Sequence, residues 1–476
     1  MSILHPLQRM LTRLSALLAS LAAIAGCTAT ARTDSAERPP AGVPGVERGI
    51  HPEWSKNAVI YEVNIRQYTP AGTFAAFTKE LPRIRALGVD ILWIMPVQPI
   101  GTLNRKGTLG SYYSIADYTS INPEFGTEAD FKAMVYAAHA QGFKVILDWV
   151  ANHTAHDHHW TREHRDWYTR HADGTLSRPI DPDGKETDWT DVVDLDYGSK
   201  PMRAAMIGEM RWWVDSTGID GFRCDVAGFV PHDFWAEARA ALLKAKPDLF
   251  FLAEWEDPKL HASFDMTYGW ELFHLLNDVA SGKKKASELA SYFSGFETKF
   301  PADAFRMNFT SNHDENSWNG TEFERMGANH KAAFVLDATT AKSMPLLYSG
   351  QEASFNRRLP FFEKDSIDWN GASLAAFYRS IFDLRHTQDV LWNGQWGAPQ
   401  VVLTTNAPDQ VFAFVRSRGD KAVLVATNFG KASTTVTLTD FQTTGGYTDW
   451  FTKAAVSLTA GATLDIPANG YRILVK

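Results

Sequence analysis

The chain has 476 residues, 45% of them hydrophobic and 21% charged, with a formal net charge of −8. That length exceeds one small domain and suffices for a barrel-sized core with an accessory domain. The negative balance argues against a nucleic-acid partner, which selects basic surfaces, and fits an uncharged ligand.

Taken in chain order, residues 1–26 read as an export signal rather than as fold. Arg9 and Arg13 precede an apolar run from Leu14 to Ala25 that is too short to span a membrane comfortably. It ends in Ile24-Ala25-Gly26-Cys27, which resembles a lipobox, in which the cysteine is lipidated and becomes the first mature residue. The alternative is plain cleavage after Ala29-Thr30-Ala31, and either route exports the chain. With Cys27 lipidated, the expected location is the cell envelope, at the outer membrane or in the periplasm; without it, secretion. Residues 27–50, rich in Ala, Thr, Pro and charge, read as a tether. No later segment has the pattern of a transmembrane helix.

From residue 51 to 389 apolar runs alternate with helical stretches. The expected strands are Val59–Val63, Val89–Met95, Phe143–Leu147, Ile219–Phe222, Leu249–Ala253, Ala262–Met266, Phe305–Phe309 and Met344–Tyr348. The expected helices are Thr73–Leu87, Glu128–Gln141, Lys200–Asp215, Phe234–Lys244, Trp270–Val279, His330–Lys342 and Leu374–His386. Continuous apolar strands separated by helices predict a parallel sheet covered on both faces, here a (β/α)8 TIM barrel, although a doubly wound open sheet shares the alternation. Residues 154–198 break the rhythm with His, Asp, Arg, Trp and Gly, and read as a small inserted domain after the third strand. Residues 390–476 show short β-like runs separated by turns and predict an all-β sandwich. Of the two cysteines, Cys224 lies in an apolar strand pattern and reads as a buried thiol.

Polar residues gather where these strands end. Asp148, Asn152 and His153 follow the third, Arg223 and Asp225 the fourth, Glu254 the fifth, and Asn312, His313 and Asp314 the seventh. Singly, each has an ordinary explanation: a helix cap, a surface ion pair, a satisfied core histidine, an Asx turn. In a parallel barrel, however, all these ends meet on one face, where active sites are built. Arg223 and Asp225 are two apart in a strand and share a side, so the cation is expected to keep the carboxylate ionised.

Four stretches then resemble the α-amylase family of glycoside hydrolases (glycoside hydrolase family 13): Asp148-Trp149-Val150-Ala151-Asn152-His153, Gly221-Phe222-Arg223-Cys224-Asp225, Glu254-Trp255 and Asn312-His313-Asp314. Tyr113-Ser114-Ile115-Ala116-Asp117-Tyr118 with Asn122-Pro123-Glu124-Phe125-Gly126, and Met344 to Glu352, are similar to two further family stretches. The resemblance implies a retaining glycosidase with Asp225 as nucleophile, Glu254 as general acid/base and Asp314 as the third carboxylate. His153, Arg223 and His313 would bind the sugar at the cleavage subsite, Tyr113 would lie beneath it, and Asp148 would order the site. A retaining enzyme needs one carboxyl holding a proton for the leaving oxygen and a second, about 5 Å away, as nucleophile.

The implied substrates are α-1,4-linked maltooligosaccharides or starch-type glucans. An α-1,6-glucosidase or an α-glucan transglycosylase would share every catalytic residue, and product patterns on maltoheptaose, isomaltose and pullulan separate them. A non-catalytic sugar-binding relative is opposed by the presence of all three carboxylates. Two departures bear on linkage: Gly228 and Phe229 stand where many endo-acting members carry Lys-His, and Val226 is more frequent in members acting on α-1,6 links. The chemistry implies no cofactor and no metal ligand set, with a structural calcium at Asn152 left open because the insert shows no clear oxygen cage.

Overall fold

A computed structural model describes residues 51–476. In chain order its first strands are β1 (Ile60–Val63), β2 (Ile91–Ile94), β3 (Lys144–Trp149), β4 (His153–Ala155), β5 (Val192–Asp194), β6 (Gly221–Cys224), β7 (Phe250–Ala253), β8 (Met266–Tyr268), β9 (Phe305–Phe309) and β10 (Ser343–Tyr348). All but β4 and β5 close into one barrel in the order β1-β10-β9-β8-β7-β6-β3-β2, every pairing parallel. Closure decides between the two architectures that alternation alone left open.

Period-two alternation sorts the strand residues into two layers. Ile60, Ile91, Trp93, Ile146, Phe250, Leu252, Met266, Met307 and Leu346 fill the barrel interior. Their neighbours Tyr61, Leu92, Val145, Leu147, Phe222, Phe251, Ala253 and Leu347 face the surrounding helices. The helix Lys200–Thr217 shows the complementary period: Met202, Met206, Met210, Trp213, Val214 and Thr217 are its buried residues. Ser199 caps its start and Gly218, in the left-handed conformation, ends it.

Two expected elements differ. The helix expected over Thr73–Leu87 is two helices, Phe74–Thr78 and Leu81–Ala86. Pro82 lacks the N–H that a continuous helix would need and instead occupies the first turn of the second helix. The sixth barrel strand begins at Met266, four residues later than expected, because Asp257 caps a 3₁₀ turn over Pro258–Ala262.

Within the insert, β4 pairs antiparallel with β5, His153 facing Asp194. The C-terminal region contains β11 (Gln400–Leu403), β12 (Val411–Arg418), β13 (Lys421–Asn428), β14 (Thr434–Thr437), β15 (Gly445–Asp449), β16 (Ala455–Leu458), β17 (Thr463–Ile466) and β18 (Gly470–Val475). Six strands form one sheet, β11-β12-β13-β18-β15-β16, and β14 pairs with β17. Along β13, Ala422, Leu424 and Ala426 point into the sandwich core while Val423 and Val425 join the core shared with the barrel helices. Buried Arg416 spans this junction, donating to the carbonyls of Thr339, Thr340 and Ala398 at 3.1, 3.0 and 2.9 Å. Among the described residues no helix is long and apolar enough to cross a membrane.

Candidate active site

The C-terminal ends of β3, β6 and β7 lie side by side, with Asp148 paired to Arg223 in register and Arg223 to Leu252. This juxtaposition puts one guanidinium among three carboxylates. Arg223 Nη1 donates to Asp148 Oδ1 at 2.8 Å and to Asp225 Oδ1 at 2.9 Å. Its Nη2 lies 2.8 Å from Glu254 Oε1, an ion pair without hydrogen-bond alignment. Its Nε donates to the Tyr268 hydroxyl at 3.2 Å. Arg223 is fully buried, so these partners offset a desolvation cost that an isolated cation could not bear.

The turn after β6 aims the acid/base candidate. Val226 has φ 35° and ψ 49°, a left-handed conformation that a β-branched residue rarely adopts. There its backbone N–H donates to Glu254 Oε2 at 2.7 Å. The strain is local and coincides with the reacting groups, where such strain concentrates.

On the opposite side, Asp148 Oδ2 accepts from Trp93 Nε1 and from the Tyr113 hydroxyl, both at 3.1 Å. The same hydroxyl contacts His313 Nε2 at 2.8 Å. His313 Nδ1 bonds Glu62 of β1, and its Nε2 lies 3.4 Å from Asp314 Oδ2. Burial lowers the basicity of His313, but the Asp314 and Glu62 charges outweigh it and lift the pKa to about 9. His153, against the Tyr113 backbone, has no such partner, and burial takes it down to about 3. The first is therefore a cationic donor at neutral pH and the second a neutral ring.

At Asp225 two effects oppose the neighbouring cation. Burial, and next the Glu254 charge, push its carboxyl well above the ordinary range against the opposing pull of Arg223. Arg223 bridges the Asp225 and Glu254 carboxyls.

Tyr113, Asp148, His153, Arg223, Asp225, Glu254, His313 and Asp314 form one connected cluster. Cys27 lies outside the described residues. Cys224 is buried and free, and burial raises its thiol pKa, as suits a packing residue. At Asn152 the side-chain Nδ2 meets His153 Nδ1 at 3.2 Å. Nearby Asp194 accepts from Thr169 Oγ1 at 2.7 Å and the Ile180 N–H at 3.4 Å. Among the described residues there is no cluster of three His, Cys, Asp or Glu suited to a metal ion.

Sequence reasoning missed Glu62, Trp93 and Tyr268. Each lies in an apolar barrel strand, and the available signal was a polar or amphipathic residue where only aliphatics were needed. It also missed an aromatic group beside Glu254: Trp189 stacks on Phe229 at 5.7 Å and 11°, and Phe229 meets Trp255 edge-on at 5.6 Å. Gly228 permits this, since a Cβ there would lie 2.3 Å from the Trp255 ring.

Residues 53–370 match the family model described as alpha amylase, catalytic domain, and residues 402–474 match alpha amylase, C-terminal all-beta domain. Alpha-amylase MalA of Haloarcula japonica is 29% identical over 404 residues, which cover 81% of this chain and 57% of MalA. An alpha-1,4-glucan:maltose-1-phosphate maltosyltransferase of Rhodospirillum rubrum is 33% identical over 262 residues, 51% of this chain and 36% of that protein. The chain therefore spans little more than half of the first relative and about a third of the second. The crystal structure of the noncanonic maltogenic alpha-amylase AmyB from Thermotoga neapolitana superposes with a TM-score of 0.80 at 29% identity, covering 89% of this chain and 99% of AmyB.

Proposed function

The chain belongs to the alpha-amylase family, and from that premise we propose that it is a retaining α-glucoside hydrolase acting on α-1,4-linked maltooligosaccharides or starch-type glucans. The observation that carries the reading is the single guanidinium of Arg223 in contact with both Asp225 and Glu254. It ties together two carboxyls from adjacent strand ends, and the double-displacement route needs such a pair at about 5 Å.

The Glu254 carboxylic acid gives its proton to the glycosidic oxygen as the Asp225 carboxylate attacks the anomeric carbon from the other face. The C–O bond to the leaving sugar breaks and a glycosyl ester to Asp225 forms. Glu254, now ionised, takes a proton from water, whose oxygen displaces Asp225 and restores the α configuration. Arg223 stabilises whichever carboxylate bears charge, and cationic His313 with Asp314 holds the sugar hydroxyls. Tyr113 lies beneath the ring, its apolar face toward the sugar C–H groups. No step needs a cofactor. No step is routed through a metal.

A transglycosylase reading is favoured by the aromatic group beside Glu254. The rings of Trp189, Phe229 and Trp255 offer an acceptor sugar a face that water cannot use. Nucleic acid has no place in the reading. The lipobox-like sequence at Cys27 supports a lipid-anchored envelope location.

The test is direct. Asp225→Asn and Glu254→Gln should each lower turnover on maltoheptaose by roughly three orders of magnitude with the fold intact. NMR of the earliest product from the unsubstituted enzyme should show the α-anomer. Near-normal turnover in either variant, or a β-anomer first, overturns the assignment; isomaltose and pullulan run alongside fix linkage preference.

A further inference from the structure

An aromatic run leaves the site on the side away from Glu254. Tyr113 stacks on Phe361 with centroids 6.1 Å apart and planes at 22°, and Phe361 meets Trp318 at 5.3 Å and 33°. Trp318 is the one tryptophan among the exposed large apolar side chains of the described residues, at 46% exposure. It belongs to a single π-helical turn, Glu315–Asn319, directly after Asp314.

That turn is fixed in place. Ser317 Oγ donates to the Leu359 carbonyl at 2.7 Å, and the Leu359 N–H donates to Asn316 Oδ1 at 2.8 Å. The loops after β9 and β10 are thus laced together, and the indole is presented to solvent by a backbone that cannot easily turn it inward. An apolar face held exposed forfeits burial free energy. A bound ring with a C–H face would recover it.

We infer that Trp318 is a stacking platform for a glucosyl unit of the bound chain, beyond the cleavage sugar on the side opposite the leaving group. This rests on the α-glucan reading given above. The direction follows from topology. Phe361 follows β10, four places from β6 around the eight-stranded barrel, and Trp318, which follows β9, packs on Phe361 and Phe362, whereas Trp189 and Phe229 stack beside Trp255, the residue after Glu254. The ligand class is an α-glucan long enough to reach past Tyr113 and Phe361, and short sugars gain nothing from the platform.

The experiment measures binding in the full chain carrying Asp225→Asn, so that ligand is not consumed. Calorimetry with maltose and maltoheptaose gives the ratio of their affinities, with and without Trp318→Ala. The ratio should fall about tenfold on loss of the indole, and Trp318→Phe should recover most of it. An unchanged ratio, or an equal loss for both sugars, overturns the inference, the latter because it marks a general disturbance of the fold. If the unsubstituted chain cleaves no α-glucan while the ratio still falls, the platform stands and the hydrolase reading fails.

Discussion

Glu62 and His313 show how one buried pair sets a charge state in the site. His313 is shut away from water, which favours its neutral form, yet Asp314 and Glu62 together lift its pKa to about 9. The stabilisation from this raised value is fully present below the ordinary histidine value of about 6.5 and is lost as pH rises through about 9. Activity that depends on a cationic His313 should fall over the same range. In Glu62→Gln the negative partner is gone, so the alkaline limb of kcat/KM should move down by about one pH unit or more. A pH–rate profile with an unmoved alkaline limb removes His313 from the essential groups.

At the scale of the element, β6 and its following turn carry the most demanding geometry. Gly221 opens β6 with a positive φ of 156°, and a Cβ there would lie 1.9 Å from the Phe250 carbonyl oxygen. Backbone meets backbone at that point, so no side-chain rotation can relieve the clash. Gly221→Ala should therefore cost about 3 kcal/mol or more, at or beyond the upper range of ordinary overpacking. It should also displace Arg223 and Asp225 together, two and four residues on, and lower turnover. Urea unfolding with an unchanged midpoint rejects the steric account. The strained Val226 turn beyond them is the same element's second constraint, and it converts a backbone N–H into a fixed partner for Glu254.

For the whole molecule, the position of residue 51 matters. His51 Nδ1 bonds Asp265 Oδ1 at 2.7 Å, and Asp265 immediately precedes β8. His51 therefore sits at the N-terminal ends of the barrel strands, the face opposite Asp225 and Glu254. Arg239 clamps the same carboxylate with two bonds of 3.0 Å, and these partners hold the Asp265 carboxyl below the usual carboxylate range despite its burial. A chain tethered through Cys27 would thus be held by its back, with the catalytic mouth turned outward. Cys27→Ala should move the protein from the membrane to the soluble fraction with unchanged activity per molecule. Mass spectrometry that finds the natural N-terminus unlipidated, near residue 32, refutes the anchor.

The sequence by itself determined the parallel α/β alternation, the all-β C-terminal region and the strand-end positions of Asp148, Arg223, Asp225, Glu254 and Asp314. It could do so because burial on both faces demands continuous apolar strands, and a charged residue at such a strand's end stands out. The strands β15, β16 and β17 are the least legible in the sequence, because Gly445–Asp449, Ala455–Leu458 and Thr463–Ile466 are short and half exposed, with little contrast against turns. Only the tertiary structure decided that the sheet closes, that Arg223 touches three carboxylates at once, and that Glu62 from the first strand partners His313, 251 residues away. It also sets burial and the Glu254 charge against the pull of Arg223 at Asp225. Adjacency along a strand announces a cation beside a carboxylate, but the penalty for removing that carboxylate from water depends on every element packed around it.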